Sequence, residues 1–248
     1  MKRIRDKFTR KRIIIIAIIH VVVIASIIRF FTYVNNYYEA TDHAKNYIEH
    51  PAEGVTVRHD GRNIIYEPEN PRAGFIFYPG ALVQTEAYAP VLEKIAENGI
   101  EVIEIGMPHY IAIFKANGAR GIIDDYPEIE DWYIGGHSLG GAMANMYAKV
   151  HVEDFKGIIL MASFSINDFS DTDLKALSLR GSEDGVLKMD KYEENLKNLP
   201  KDYKEVVIQG GCHSYFGDYG IQDGDGNPTI TCEEQTDIVV DEIVKFIE

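Results

Sequence analysis

Residues 131–142 read DWYIGGHSLGGA, and this stretch decides the predicted fold. An apolar run enters Gly136-His137-Ser138-Leu139-Gly140, which matches the pattern G-x-S-x-G, and small residues suited to a buried helix follow it. When such a pattern joins a strand to a helix, the backbone bends sharply and exposes the serine hydroxyl. The sequence therefore predicts a strand, a tight turn and a helix, with Ser138 as a nucleophile.

A glycine-rich turn between a strand and a helix can also bind phosphate. That role uses a G-x-G-x-x-G pattern or a lysine after the glycines. This turn has neither feature. The nucleophile is therefore the preferred interpretation of the turn.

Strand and helix patterns alternate on both sides of this motif. Asp60-Gly61 joins two extended runs, which is a hairpin signal. Buried strands are predicted near residues 73–80, 100–108, 131–138, 157–163, 174–181 and 204–211. Helices are predicted at 110–119, 189–199 and 233–247, among other stretches. This alternation predicts an α/β fold with a mostly parallel sheet, and the short connection after residue 163 leaves no room for a large cap.

Two downstream residues complete the predicted chemistry. A serine hydroxyl needs a base, and that base needs an orienting carboxylate, in the chain order serine, acid, histidine. Asp184 lies in LRGSEDGVL at the exit of a predicted strand, with the adjacent Glu183 as an alternative. His213 lies in a loop beyond the last strand. The sequence predicts a catalytic triad of Ser138, Asp184 and His213.

Backbone N–H groups are expected to bind the negative oxygen that forms during acyl transfer. One donor should be Leu139, the residue after the serine, and the other should come from the loop after the first buried strand. That loop reads YPGAL over residues 78–82, so the N–H of Ala81 is the predicted second donor. A simple turn at the end of the strand is the alternative.

The two cysteines of the chain flank the loop that carries His213. A disulfide between Cys212 and Cys232 would brace this loop in an exported domain. Two free buried thiols are the alternative. Both interpretations remain open at the level of the sequence.

Four polar residues stand at the spacing of the ligands in a calcium-binding loop: Asp223, Asp225, Asn227 and Glu234. Pro228 occupies the position where such a loop needs glycine. These acids are therefore expected to cap backbone groups in a turn-rich loop. No metal site is predicted.

The amino-terminal segment differs in character from the rest of the chain. Residues 1–12 contain seven basic side chains and one acid, although the net charge of the chain is −14. Residues 13–34 are apolar over a length of about 33 Å, enough for a bilayer core. A cleaved signal peptide is the alternative, but small residues should then follow. The sequence predicts a cytoplasmic tail over 1–12, a transmembrane anchor over 13–34 and an extracellular domain over 35–248.

From about Arg72 onwards, the chain resembles the α/β-hydrolase superfamily, in particular a bacterial group described as dienelactone-hydrolase-like. The resemblance rests on FYPGALVQTEAYAPVLEKIAENGIEV, MPHYIAIF, WYIGGHSLGGAMA, LRGSEDG and HSYFGDYGIQDGDG. It implies an esterase-like Ser-Asp-His hydrolase without a cofactor. Dienelactone hydrolases proper use cysteine where this chain has Ser138, so their substrate is not implied. Tyr78-Pro79-Gly80 also replaces the His-Gly pair often found before the oxyanion donors.

The predicted reaction is hydrolysis of a carboxylic ester, or a related acyl bond, in a small or surface-presented substrate. A thioesterase, a peptidase or an acyltransferase on the same triad are alternatives, and a non-catalytic binding module is an alternative of a different class. The acidic body of the chain excludes a nucleic-acid partner, because it repels phosphates and carries no basic stripe.

Overall fold

A computed structural model describes residues 2–248, apart from the side chains of residues 2–11 and 13. The chain divides into two units, Met1–Tyr37 and Tyr38–Glu248. The first unit consists mainly of helix α1, Lys2–Val34. Its segment Ile14–Val34 is long and apolar enough to cross a membrane, a property that signal sequences share.

The second unit is built on one eight-stranded sheet, with the strand order β1-β2-β4-β3-β5-β6-β7-β8. The strands are β1 Val55–Asp60, β2 Asn63–Pro68, β3 Ala73–Tyr78, β4 Ile100–Glu104, β5 Trp132–His137, β6 Gly157–Met161, β7 Lys175–Gly181 and β8 Asp202–Ile208. β1 and β2 form the predicted edge hairpin, and β2 pairs antiparallel with β4. All other pairs are parallel. The predicted α/β class is confirmed.

Helices cover both faces of this sheet. The five helices of the second unit are α2 Asp42–Glu49, α3 Ala89–Ala96, α4 Leu139–Val150, α5 Met189–Asn195 and α6 Cys232–Ile247. Helices α2, α3 and α6 contribute Ala44, Leu92 and Ile243 to one apolar layer. Helix α4 contributes Ala144 and Ala148 to the layer on the opposite face. The central strands β3, β4, β5 and β6 are buried along their whole length because both faces are covered, whereas the edge strands β1 and β8 are mostly exposed.

One predicted helix is absent as a continuous element. Residues 110–119 were expected to be helical, but two short 3-10 turns occur there, Pro108–Tyr110 and Ala112–Lys115. His109 and Tyr110 adopt positive φ angles of 53° and 55°. These angles lie outside the right-handed helical region, so a helix cannot run through these residues.

The parallel strands bring four functional loops to one edge of the sheet. The loops after β3, β5, β7 and β8 all leave the carboxyl ends of their strands. In open α/β sheets, ligands bind at this edge. The edge therefore carries Ala81, Ser138, Asp184 and His213, one on each of these connections.

Candidate active site

Ser138 occupies a sharp turn between β5 and α4. Its φ and ψ angles are 52° and −123°, a region that residues with a side chain rarely adopt. A Cβ atom on Gly136 would lie 2.2 Å from the carbonyl oxygen of Tyr78, and one on Gly140 would lie 2.1 Å from the same atom. Glycine is required at both positions because the turn packs directly on the end of β3. The strained turn expected around the serine is present.

Two hydrogen bonds hold the backbone of Ser138 in this conformation. Its N–H donates to the carbonyl of Met161 at 2.9 Å, at the end of the adjacent strand β6. Its carbonyl accepts a bond from the hydroxyl of Ser163 at 2.8 Å. The side chain of Ser138 is thereby left partly exposed at the edge of the sheet.

Asp184 and His213 are in direct contact. The Nδ1 atom of His213 lies 2.9 Å from Oδ2 of Asp184, and the two side chains are 2% and 1% exposed. The other carboxylate oxygen, Oδ1, accepts bonds from the N–H groups of Val186 and Leu187 at 2.9 and 2.8 Å. The carboxylate therefore holds the proton of the ring on Nδ1 and leaves Nε2 able to accept one.

The alternative acid, Glu183, is not directed at the histidine. Its carboxylate is exposed and accepts a bond from the hydroxyl of Ser182 at 2.9 Å. Two adjacent carboxylates thus have different surroundings. Asp184 is the one with the geometry of an orienting acid.

The ring of His213 lies beside the serine turn. Its centroid is 4.6 Å from the ring centroid of His137, the residue before Ser138. Within the described part of the chain, the hydroxyl of Ser138 has no hydrogen-bond partner. A bond from the serine to the catalytic base is often long or misaligned without substrate and tightens when substrate binds.

The two predicted oxyanion donors lie on adjacent loops. Leu139 is the first residue of α4, where the N–H has no carbonyl of the same helix to bond. Ala81 lies in the turn after β3, and its N–H has no partner among the described residues. The adjacent Leu82 has a positive φ of 57° and donates its N–H to the carbonyl of Tyr110 at 2.7 Å. The backbone of this turn is therefore strained at Leu82, and the bond to Tyr110 holds it in place.

A buried tyrosine, which the sequence analysis missed, connects this turn to the serine turn. The hydroxyl of Tyr88 accepts the N–H of Gly80 at 2.9 Å and lies 2.9 Å from Nδ1 of His137. Since it accepts from Gly80, it donates its own proton to the ring nitrogen. Burial holds the pKa of His137 well below its usual range, and nearby His213 lowers it further. The neutral ring at position 137 can therefore act as the acceptor.

Asp225 is a second residue whose role the sequence analysis only partly anticipated. Its carboxylate accepts bonds from the N–H of His213 at 3.2 Å and of Gly185 at 3.1 Å. It also accepts the N–H and hydroxyl of Ser214, at 2.7 and 2.6 Å. The carboxylate thus joins the Asp184 loop to the His213 loop. Asp223-Gly-Asp225-Gly, a turn-forming run, was the available signal.

For Cys212 and Cys232, the structure has the second of the two alternatives that the sequence left open. Both residues are free thiols. The thiol of Cys232 lies 3.6 Å from the carbonyl oxygen of Gly217, and the backbone of Cys212 bonds the side chain of Gln235. Each cysteine is therefore fixed by a separate partner. Burial raises the pKa of both thiols to about 12.

One surface cleft lies away from these groups. It has a volume of about 730 Å³ and includes Asp131, Lys156 and Leu174, which precede strands β5, β6 and β7. It therefore opens at the amino edge of the sheet. A cleft of about 340 Å³ at the carboxyl edge includes Thr85 and Tyr110, next to the Ala81 turn. The candidate catalytic residues lie at the carboxyl edge, as this second cleft does.

Comparison with known proteins identifies the family. Residues 74–237, well over half of the chain, match the sequence model of the alpha/beta hydrolase family. The chain belongs to this family. The match includes Ser138, Asp184 and His213, and no curated protein matches the sequence significantly.

Solved structures agree with this assignment at the level of the fold. A predicted CIB-like hydrolase from Thermoplasma acidophilum matches with a TM-score of 0.57 at 16% identity, over 77% of this chain and 100% of its own. Est1E from Butyrivibrio proteoclasticus matches with 0.56 at 17%, over 79% and 99%. Carboxyl esterase 2 from Tuber melanosporum matches with 0.59 at 10%, over 86% and 92%. The α/β hydrolase described here thus shares its fold with esterases.

Proposed function

We propose that this α/β hydrolase cleaves carboxylic esters through an acyl intermediate on Ser138. The observation that carries the proposal is the buried contact of 2.9 Å between His213 and Asp184. The ring of that histidine packs beside the strained serine turn. The esterases among the structural relatives are consistent with this chemistry.

The first half of the reaction acylates the serine. The Nε2 atom of His213 removes the hydroxyl proton of Ser138 as the oxygen attacks the ester carbonyl. The carbonyl oxygen becomes negative and accepts bonds from the N–H groups of Leu139 and Ala81. When the intermediate collapses, the leaving alkoxide takes the proton from His213 and departs as an alcohol. Asp184 remains ionised and stabilises the imidazolium during these steps.

The second half releases the acid. Water takes the place of the alcohol, and His213 removes one of its protons as the water oxygen attacks the acyl carbon. The new tetrahedral intermediate expels the oxygen of Ser138, which regains its proton from His213. The products are a carboxylic acid and the free enzyme. The residues required for both halves belong to this chain.

We also propose that α1 is an uncleaved membrane anchor, with the amino terminus in the cytoplasm and the catalytic unit outside. The support is the run Ile14–Val34 behind a strongly basic amino terminus. Bulky aromatic residues follow the apolar run, where a cleavage site would need small ones. Amino-terminal sequencing of the membrane-bound protein tests this, because a cleaved signal peptide would leave a chain that begins after residue 34.

The activity is tested with matched acyl substrates of three kinds: nitrophenyl esters, thioesters and anilides. We expect ester turnover that Ser138→Ala reduces to background. Preferential turnover of the thioester would indicate a thioesterase instead. Transfer of the acyl group to an added alcohol in preference to water would indicate an acyltransferase. The absence of all turnover in a folded protein would favour the non-catalytic binding module.

A further inference from the structure

The chain that leaves the apolar helix is built directly into the candidate active site. Tyr38 forms a parallel bridge with Val83 in the loop that also carries Ala81. Its N–H donates to the carbonyl of Leu82 at 2.7 Å, and its carbonyl accepts the N–H of Gln84 at 2.9 Å. Tyr38 therefore extends the backbone of the oxyanion loop.

Tyr38 also contacts the loop that carries the histidine. Its hydroxyl accepts the N–H of Asp223 at 3.0 Å. Its ring lies 5.7 Å, centroid to centroid, from the ring of Tyr219. Both partners lie in the segment between His213 and α6. One residue thus joins the two loops that border the catalytic groups.

The distance between Tyr38 and the apolar span is limited by covalent geometry. Three residues separate Tyr38 from Val34, the last residue of the span. Four Cα–Cα steps of about 3.8 Å cover at most about 15 Å. This limit holds for any arrangement of the two units. If the span crosses a bilayer, the oxyanion loop is held close to the bilayer surface.

Two exposed apolar side chains lie in a segment that is hydrogen-bonded to the same loop. The carbonyl of Tyr110 accepts the N–H of Leu82, which connects the oxyanion loop to the segment after β4. In that segment, Ile113 and Phe114 are 58% and 50% exposed. These adjacent aliphatic and aromatic side chains at the carboxyl edge offer apolar surface that a membrane interface can bury.

We propose that the substrate of this enzyme is an ester of a bilayer-resident amphiphile, reached by insertion of Ile113 and Phe114 into the membrane interface. Tyr38 holds the active site at that interface. The inference rests on the proposed esterase activity and on the membrane anchor. The short tether raises the local concentration of bilayer esters at the site without any further contact, and burial of the two side chains in the interface stabilises the docked state.

The test uses the full-length protein in phosphatidylcholine vesicles with two umbelliferyl esters. The butyrate ester reacts from water, whereas the palmitate ester partitions into the bilayer. One variant carries a flexible Gly/Ser insertion of about 20 residues between Val34 and Asn35, long enough to release the tether. A second variant combines Ile113→Ser and Phe114→Ser. Val150→Ser is the matched control, since this 77% exposed residue ends α4, far from the carboxyl edge.

We expect the insertion to lower kcat/KM for the palmitate ester about tenfold, because effective concentration falls with tether length, with butyrate turnover changed less than twofold. The double variant should lower the palmitate-to-butyrate ratio about tenfold, and Val150→Ser should leave it unchanged. If palmitate turnover is unchanged in both variants while butyrate turnover is normal, the membrane inference is overturned and the proposed esterase function stands. If the unaltered protein hydrolyses neither ester, the proposed esterase function is overturned and the inference with it.

Discussion

Ser138 combines backbone strain with a partly exposed side chain. Unusual φ and ψ angles of this kind cost about 1–3 kcal/mol and persist where surrounding contacts fix them. Here the contacts are the bonds to Met161 and Ser163. In the proposed mechanism, this strained backbone positions Ser138 as the nucleophile.

Asp184→Asn tests the role of the acid at the level of one residue. An amide at this position presents an N–H group or a weaker acceptor to His213, so the ring loses its favoured tautomer. We expect kcat for a nitrophenyl ester to fall by a factor of about a thousand or more. The control is Glu183→Gln, which alters the exposed neighbour, and its kcat should stay within twofold. Equal losses in both variants would contradict the assignment.

Asp225→Asn tests the connection between the two catalytic loops. Burial opposes ionisation of Asp225, but its hydrogen bonds to Ser214, Gly185 and Gly226 outweigh this and lower its pKa below the ordinary value of 3.8. A lowered carboxyl pKa stabilises the fold at neutral pH, and this contribution disappears as the pH falls through the folded-state pKa. We expect the variant to lose about 2 kcal/mol at pH 7 and less below pH 3.

Thermal unfolding of Asp225→Asn and of the unaltered protein, followed from pH 7 to below pH 3, measures the difference in stability. Asp223→Asn is the control, because the side chain of Asp223 has no hydrogen-bond partner among the described residues. A stability loss at pH 7 that is the same in both variants would count against the role of Asp225. A loss independent of pH would do the same.

At the scale of elements, the sequence predicted the sheet better than the loops. The strands were found because they are continuous apolar runs between turns, and a sheet covered on both faces produces such runs. The helix predicted over 110–119 was wrong. Positive φ angles at His109 and Tyr110, which apolar periodicity does not reveal, exclude a helical start there, and the 3-10 turn Ala112–Lys115 follows. The contact of Leu82 with Tyr110 fixes that segment and has no local signature.

In the candidate site too, the sequence predicted residues that have a local signal and missed those that act through distant contacts. Ser138 and Asp184 each have a local motif, and His213 was found from its order along the chain. Tyr88 acts across 49 residues through a hydroxyl bond to His137, and no spacing rule points to it. The sequence left the state of the two cysteines open because separation along the chain does not determine whether two thiols face each other.

Tyr88→Phe tests how the 3-10 turn Thr85–Tyr88, which precedes α3, positions the loops that carry the candidate oxyanion donors Ala81 and Leu139. The change leaves the buried N–H of Gly80 and Nδ1 of His137 without a partner, at a cost of about 1–3 kcal/mol. Because the two donors then lose their fixed separation, kcat for ester hydrolysis should fall about tenfold or more with little change in KM. Circular dichroism melting and steady-state kinetics provide the two measurements.

Tyr192→Phe separates positioning from stability. The hydroxyl of Tyr192 is also buried and bonds Ser178 and Glu205, away from the catalytic edge. Loss of this hydroxyl should lower the melting temperature about as much as Tyr88→Phe does, and should leave kcat unaltered. If both variants reduce kcat equally, Tyr88 has no specific effect on the donors.

Across the whole molecule, buried carboxyl groups determine how stability depends on pH. Burial raises the pKa of Glu93 to about 7 and that of Glu101 to about 8, with nearby carboxylates adding to the shift. Burial also raises the pKa of Glu104 well above the ordinary 4.5. The folded protein binds more protons than the unfolded chain between about pH 4.5 and 8. Stability should therefore fall as the pH rises through this interval.

Glu101→Gln should reduce that dependence. The groups near Glu101 are Glu67, Arg58, Glu128 and Tyr126, and the variant keeps the first three charges while removing the titrating carboxyl. We expect its melting temperature to exceed that of the unaltered protein at pH 9, with a smaller difference at pH 5. Each kcal/mol gained in the free energy of unfolding should raise the melting temperature by about 2–4 °C. The exposed Glu153→Gln is the control and should follow the unaltered protein. A variant that parallels the unaltered protein at every pH would contradict this explanation.

The central claim is that one serine, activated by a buried histidine–aspartate pair, forms a covalent bond with an acyl substrate. Mass spectrometry of protein treated with a fluorophosphonate locates that bond directly. The account predicts a single adduct on the peptide containing Ser138, absent in Ser138→Ala and formed far more slowly in His213→Ala. An adduct on another residue, or undiminished labelling of Ser138 without the histidine, would contradict it.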